Sequence, residues 1–165
     1  MDAELIALSA AIGAACRQRR LSLVTAESCT GGWAAQVITH TAGSSGWFER
    51  GFVTYSNEAK IEMLGVDAET LLAHGAVSEA TAAAMAAGAL RHSHADWALA
   101  VTGVAGPGGG SKDKPVGTVC FGWAAFDGRV ETQTLHFSGD REQVRAQSVA
   151  HALGGVLDRA AHCTA

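Results

Sequence analysis

The sequence has few charged residues and no excess of positive charge. Only 17% of the 165 residues are charged, whereas 48% are hydrophobic, and 16 Asp and Glu against 12 Lys and Arg give a formal charge of −4. A composition this apolar is typical of a globular protein and not of a disordered one. Because there is no surplus of Lys and Arg to neutralise phosphates, we expect no nucleic-acid partner.

Metal-binding and disulfide patterns are also missing. The four cysteines, Cys16, Cys29, Cys120 and Cys163, show no C-x-x-C spacing, so neither a zinc ribbon nor a redox pair is indicated. We therefore expect no metal site and no cofactor. Cysteines without such a pattern are compatible with a reducing cytosol.

No stretch of the sequence is apolar over the length that a bilayer requires. The N-terminus carries Asp2 and Glu4 where a signal peptide needs positive charge before an apolar core. We expect a cytoplasmic protein without a membrane partner. With no internal repeat and no linker, the sequence predicts a single domain over residues 1–165 and leaves open whether it forms a homo-oligomer.

The order of the hydrophobic patterns indicates an α/β fold. Strand and helix patterns alternate along most of the chain, which then ends in a β-hairpin and a helix. This order predicts a three-layer α/β/α sandwich with a mixed, mostly parallel sheet, in which the parallel strands come first. The predicted strands are 21–25, 51–55, 97–102, 116–126 and 130–137, and the predicted helices are 3–20, 33–40, one from 56 or 57, 67–75, 78–94 and 140–162.

A short run of small residues, 26–32, joins the first predicted strand to a helix. We expect Ser28 and Cys29 at the helix N-terminus, where free N–H groups and the helix dipole favour an anion or a developing oxyanion. Gly31 and Gly32 would let a ligand approach the backbone closely. The same run also fits an ordinary helix cap followed by a tight turn.

Three segments are expected to meet outside the carboxyl ends of the parallel strands, the place where such sheets bind ligands. They are 27–32, 55–60 and 102–110. This convergence would bring a serine hydroxyl, a lysine and a glycine-rich loop to one edge of the sheet.

Lys60 is the informative residue of the second segment. With Asn57 as the N-cap it is the third residue of its helix, where the dipole disfavours the ammonium form and burial would lower its pKa further. A lysine with a lowered pKa beside a serine is one way to activate a nucleophile. The alternative is a surface lysine paired with Glu58 or Glu62.

Five motifs, in this order along the chain, resemble those of one known family. The resemblance covers about residues 3–160 and is to the CinA C-terminal domain family, whose enzymes are nicotinamide-nucleotide amidohydrolases. It is to the stand-alone form, because 165 residues leave no room for the further domain of longer CinA proteins. The motifs are 25–32 (TAESCTGG), 54–60 (TYSNEAK), 74–78 (HGAVS), 102–107 (TGVAGP) and 114–119 (KPVGTV).

The resemblance implies a metal-independent serine/lysine amidohydrolase. Such an enzyme converts nicotinamide mononucleotide to nicotinic acid mononucleotide and ammonia, in pyridine nucleotide salvage. The resemblance assigns the family's nucleophilic serine to Ser28, its lysine to Lys60 and its nearby tyrosine to Tyr55. In the mechanism that we expect, Lys60 is the base, and Tyr55 hydrogen-bonds to Lys60 or Ser28 and keeps them aligned. After Pro107 this chain has Gly108 where some relatives carry an acidic residue, which affects loop contacts and not the chemistry.

The remaining candidates concern substrate binding. Arg141 and Arg145, four residues apart on one helix face, either clamp a phosphate or form a solvated face. Glu27 orients Lys60, binds a substrate hydroxyl or simply ends its strand, and Cys29 is expected to pack. Backbone N–H groups of 29–32 would hold the oxyanion, and the loop 102–110 the ribose and phosphate. The expected substrate-binding residues are Glu27, Cys29, Thr30, Gly31, Gly32, Thr102, Gly103, Gly106, Arg141 and Arg145.

Two other functions stay open from the sequence. In a non-catalytic nucleotide-binding module, the same glycine-rich loops would hold a phosphate and Ser28 would only cap a helix. Release of ammonia from the mononucleotide separates that module from an enzyme. The other alternative is an amidase for a different small carboxamide, which a panel of substrates would identify.

Overall fold

A computed structural model of the chain describes residues 2–161. Within this range, five strands form one mixed sheet in the order β2-β1-β3-β4-β5. Strand β1 pairs in parallel with β2 and β3, whereas β4 is antiparallel to both β3 and β5. Four of the five strands therefore run in one direction, which confirms the predicted sheet. The strands are β1 (Leu23–Glu27), β2 (Phe48–Val53), β3 (Trp97–Gly103), β4 (Thr118–Ala125) and β5 (Val130–His136).

Six α-helices of residues 2–161 cover the two faces of this sheet. One face packs against α1, α2 and α6, and the other against α3, α4 and α5, so that the predicted three layers are present. The predicted end of the last helix at His162 lies outside the described residues, as does Cys163. The helices are α1 (Ala3–Arg19), α2 (Trp33–His40), α3 (Asn57–Leu64), α4 (Ala68–His74), α5 (Glu79–Arg91) and α6 (Arg141–Ala161).

Strand β1, which lies between β2 and β3, sends successive side chains to opposite faces of the sheet. Leu23 packs in the core of α1, α2 and α6, whereas Val24 and Ala26 pack in the core of α3, α4 and α5. The same alternation directs Glu27 towards α2 and Ser28 towards α3. Two adjacent polar residues therefore reach two different helices.

The structure changes the predicted starts of the first two strands and the predicted N-cap of α3. Strand β1 starts at Leu23 and not at residue 21, and β2 starts at Phe48 and not at residue 51, because the parallel pairing of β1 with β2 begins at these two residues. Ser56 is the N-cap of α3 and accepts a hydrogen bond from the Ala59 N–H at 3.0 Å. Lys60 is therefore the fourth residue of its helix and not the third.

Within the described residues, no helix combines the length and the apolar character that crossing a membrane requires.

Candidate active site

A tight turn leads from β1 into α2. Ser28 still follows the strand, since its N–H donates to the Val101 carbonyl at 2.9 Å. Gly31 and Gly32 have φ angles of +61° and +94°, in the left-handed region that favours glycine. Helix α2 begins only at Trp33. The serine is thus not at the helix N-terminus, which corrects that expectation.

The N-terminus of α2 is occupied by the carboxylate of Glu27, a side chain that is 1% exposed. One oxygen accepts from the Thr30 hydroxyl at 2.7 Å and from the N–H groups of Gly32 and Ala34 at 3.1 and 3.0 Å. The other accepts from the Ala35 N–H at 2.9 Å. These donors bind an anion of the protein itself and are not free for a substrate anion.

We predict that Glu27→Gln lowers the free energy of unfolding by about 2–4 kcal/mol. An amide presents one acceptor oxygen where four donors converge, and its NH₂ group faces backbone N–H groups. The matched control is Thr30→Val, which removes a single donor and should cost about 1 kcal/mol. Denaturant unfolding at neutral pH measures both. A loss in Glu27→Gln no larger than in Thr30→Val would contradict the prediction.

The amine of Lys60 lies within hydrogen-bond distance of the Ser28 hydroxyl. Lys60 Nζ is 3.0 Å from Ser28 Oγ and 2.9 Å from the Thr54 carbonyl oxygen. Lys60 is 1% exposed, and no ion pair found among residues 2–161 includes it. Burial lowers the pKa of Lys60. The neutral amine that this favours can accept a proton from Ser28.

The thiol of Cys29 differs from the Ser28 hydroxyl in its protonation chemistry. Burial raises the pKa of Cys29 to about 12, so the thiol stays protonated at neutral pH. Its side chain belongs to the core of α1, α2 and α6. Packing of Cys29, as expected from the sequence, is therefore observed.

Ser28 and Lys60 line a cavity of about 230 Å³. The three segments expected at this edge of the sheet all contribute to it. The sequence analysis did not assign four of the lining residues to the site, although two of them belong to the motif at 74–78, which was an available signal. These four residues are Asn57, Ala76, Val77 and Ala105.

Side chains from β3, from α5 and from the loop before β4 hold the 74–78 wall of this cavity. The Thr102 hydroxyl donates to the Ala76 carbonyl at 2.8 Å, and Lys114 Nζ donates to the His74 carbonyl at 2.6 Å. The hydroxyl of Thr81 donates to the carbonyl of Gly75 at 2.7 Å. The Thr102 hydroxyl is thus engaged with the cavity wall.

Arg141, the first residue of α6, lines the cavity together with Tyr55. Its Nη2 donates to the Tyr55 hydroxyl and its Nη1 to the Gly106 carbonyl, both at 2.8 Å. Tyr55 is 61% exposed. The tyrosine hydroxyl therefore accepts a hydrogen bond from Arg141, in place of the expected hydrogen bond to Lys60 or Ser28.

Arg145 lies one turn further along α6. Its Nε donates to the Cys29 carbonyl at 3.0 Å and its Nη2 to the Thr30 carbonyl at 2.9 Å. Its guanidinium stands 5.2 Å from the centre of the Trp33 ring. A second cavity of about 480 Å³ shares Arg141 with the first and is also lined by Gly31, Gly32, Trp33, Gln36, Glu142 and Arg145.

A serine hydroxyl beside a buried lysine amine, at the carboxyl edge of an α/β sheet, is an arrangement that can perform acyl transfer. The family model of the CinA C-terminal domain matches residues 5–160, and the chain belongs to this family.

Individual relatives cover nearly the whole chain. Nicotinamide-nucleotide amidohydrolase PncC of Escherichia coli K12 is 57% identical over 152 residues, which are 92% of either chain. A putative competence-damage inducible protein of Symbiobacterium thermophilum is 51% identical over an alignment of 157 positions that covers 90% of this chain and 37% of that protein. The solved structure of the competence/damage inducible protein CihA from Agrobacterium tumefaciens is 45% identical, with a TM-score of 0.94 over 96% of either chain.

Proposed function

We propose that this protein is an amidohydrolase that converts nicotinamide mononucleotide to nicotinic acid mononucleotide and ammonia, in pyridine nucleotide salvage in the cytoplasm. The observation that carries the proposal is the 3.0 Å contact between Lys60 Nζ and Ser28 Oγ in a cavity. Membership of the CinA C-terminal domain family and the name of the Escherichia coli relative support the choice of substrate.

In the first half of the reaction, Ser28 Oγ attacks the carboxamide carbon while neutral Lys60 takes the hydroxyl proton. A tetrahedral intermediate forms. Protonated Lys60 then gives the proton to the departing nitrogen, the C–N bond breaks, and ammonia leaves a nicotinoyl ester on Ser28. The lowered pKa of Lys60 supports this role, because a base must be neutral before it accepts a proton.

The oxyanion needs a hydrogen-bond donor, which we assign to the N–H of Cys29. Gly31 and Gly32 donate within the turn, to the Ser28 carbonyl and to Glu27. Cys29 lines the cavity, and within the described residues its N–H donates to no other residue. Such a donor contributes about 3 kcal/mol to transition-state stabilisation in known cases.

In the second half, a water molecule attacks the ester carbon and Lys60 accepts its proton. The ester bond breaks, Lys60 returns the proton to Ser28 Oγ, and nicotinic acid mononucleotide leaves. The same oxyanion donor serves both halves. Lys60 ends in its neutral form, ready for another turnover.

The arginine at the junction of the two cavities is the proposed phosphate ligand. Arg141 lines both cavities, and within residues 2–161 its guanidinium donates to the Tyr55 hydroxyl and to the Gly106 carbonyl. Arg141 is exposed, whereas Arg145 is half-buried and lines only the larger of these two cavities, so Arg141 is the better placed of the two to bind a phosphate in a bidentate manner. The loop that contains Gly106 would then contact the ribose.

An ammonia-release assay tests the proposed function directly. Purified protein is incubated with nicotinamide mononucleotide and, in parallel, with other small carboxamides. We expect ammonia and nicotinic acid mononucleotide in equal amounts. Release from another carboxamide alone would assign the site a different substrate, and no release from any would favour a binding module.

We also predict that deamidation survives exhaustive treatment with chelators. Within residues 2–161, no group of three or more His, Cys, Asp or Glu side chains is arranged to hold a metal ion. The serine/lysine scheme needs no Lewis acid. The initial rate before and after chelation measures this. The prediction would be contradicted if chelation abolished the activity and a divalent metal ion then restored it.

A further inference from the structure

The guanidinium of Arg145 is bound to the backbone of the turn that carries Ser28. Its two hydrogen bonds reach the carbonyl groups of Cys29 and Thr30, more than a hundred residues earlier in the chain. No ion pair found within residues 2–161 includes Arg145. The charge of this arginine therefore acts on two peptide groups of the turn.

These two contacts determine the directions in which the C=O and N–H groups of the turn point. Because the peptide unit is planar and trans, its C=O and N–H point in opposite directions. Holding the Thr30 carbonyl towards Arg145 directs the Gly31 N–H the other way. There it donates to the Ser28 carbonyl at 3.0 Å, the bond that closes the turn.

The buried carboxylate of Glu27 holds the same turn from the interior. It accepts from the Thr30 hydroxyl and from the Gly32 N–H, whereas Arg145 donates to carbonyl groups. The turn is thus held between two groups of opposite charge. Glu27 accepts hydrogen bonds from the donors of the turn, and Arg145 donates to its carbonyl oxygens. The Ser28 hydroxyl meanwhile forms its hydrogen bond with Lys60 Nζ.

We propose, on the basis of the function proposed above, that Arg145 is a positioning residue and not a phosphate ligand. It holds the turn so that Ser28 Oγ and the Cys29 N–H keep the geometry needed for attack. This separates the two arginines that the sequence presents as a clamp. Loss of positioning weakens binding of the transition state and leaves substrate binding unchanged, so it lowers kcat and not KM.

The test compares Arg145→Gln and Arg145→Lys with the matched variant Arg141→Gln. Ammonia release from nicotinamide mononucleotide gives kcat and KM. For Arg145→Gln we expect kcat to fall about tenfold or more with KM within about threefold, and for Arg141→Gln mainly a rise in KM. Arg145→Lys retains a hydrogen-bond donor, so its kcat should fall less than that of Arg145→Gln, and its KM should again change little. A tenfold rise in KM for Arg145→Gln, or no change in either constant, would overturn the proposal.

A second measurement does not depend on the nucleotide. An uncharged sulfonyl fluoride labels Ser28 when Oγ attacks the sulfur, fluoride leaves and Lys60 takes the proton. The labelling rate should fall about fivefold or more in Arg145→Gln, because Ser28 Oγ is then less well positioned for attack. Since this reagent carries no phosphate, such a fall cannot come from weaker phosphate binding. An unchanged rate would overturn the positioning role.

The two measurements also keep this inference distinct from the proposed function. A wild-type protein that releases no ammonia contradicts the proposed function, and labelling of Ser28 then decides the role of Arg145. Thermal unfolding of each variant accompanies both measurements. If Arg145→Gln does not fold, Arg145→Lys decides: a fall in kcat and in the labelling rate with KM within about threefold supports the proposal, and a tenfold rise in KM or no change in any of the three overturns it.

Discussion

Ser28→Ala should lower the rate of deamidation by at least about 10³-fold, equivalent to about 4 kcal/mol in the barrier. The variant removes the only atom proposed to bond to the substrate carbon. Folding should be little affected, because the one hydrogen bond found for this hydroxyl within residues 2–161 is the contact with Lys60 Nζ, and its loss costs about 1 kcal/mol. Steady-state ammonia release and thermal unfolding of the purified variant give the two quantities.

The matched control is the neighbouring residue. Cys29→Ala keeps the backbone N–H that we assign to the oxyanion and removes a thiol whose pKa of about 12 keeps it protonated. It should therefore retain substantial activity. An active Ser28→Ala together with an inactive Cys29→Ala would exchange the two roles.

Lys60→Arg should be nearly as inactive as Lys60→Ala. Arginine keeps the positive charge but does not lose its proton in the working pH range, so it cannot accept one from Ser28. A lysine needed only for its charge would be replaced by arginine with little loss. If Lys60→Arg keeps more than about a tenth of the wild-type rate, a barrier change below about 1.4 kcal/mol, the role as base is wrong.

The pH dependence of the wild-type rate tests the same role. The rate should rise with pH through one ionisation below the ordinary lysine value of about 10.4, because burial lowers the pKa of Lys60 and only the neutral amine is active. Above that ionisation the rate should level off. A rate that falls as pH rises through this range would contradict the assignment.

Lys60→Met separates chemistry from folding. Methionine fills a similar volume without an amine, so activity should be lost while stability is kept. Because the pKa of Lys60 is lower in the folded protein than in the unfolded chain, protonation below about 10.4 favours unfolding of the wild type. The methionine variant has no such ionisation. Its free energy of unfolding at neutral pH should be no lower than that of the wild type.

Much of the fold could be read from local patterns. The apolar run 97–102 indicates a strand buried on both faces, and Ser78 caps a helix in the usual way. These signals act within a few residues, so the sequence carries them completely. The meeting of the three candidate segments also followed from topology, since carboxyl ends of parallel strands share one edge. The roles of Ser28, Lys60 and Tyr55 stay predictions until the variants are measured.

What only the tertiary structure decided are the partners of the charged side chains. From the sequence, Glu27 had three open roles, and Arg141 and Arg145 formed either a clamp or a solvated face. In the folded chain, Glu27 fills the start of α2, Arg141 meets Tyr55, and Arg145 reaches the turn after β1. The donors to Glu27 lie within eight residues of it, whereas Arg141 and Arg145 reach partners 35 to 116 positions away. These distant contacts depend on how helices pack on a sheet, and no local pattern contains that information.

For Lys60, likewise, the sequence determined its position in the helix, and the tertiary structure determined its burial. Its position four residues after Ser56, near the start of a helix that follows a strand, was determined by the sequence alone. Its burial, and with it the lowered pKa and the 3.0 Å contact with Ser28, depends on α3 packing closely on α5, where Gly88 leaves room for the Leu64 carbonyl. Desolvation is a property of the whole surroundings of an amine, and only the assembled fold creates those surroundings.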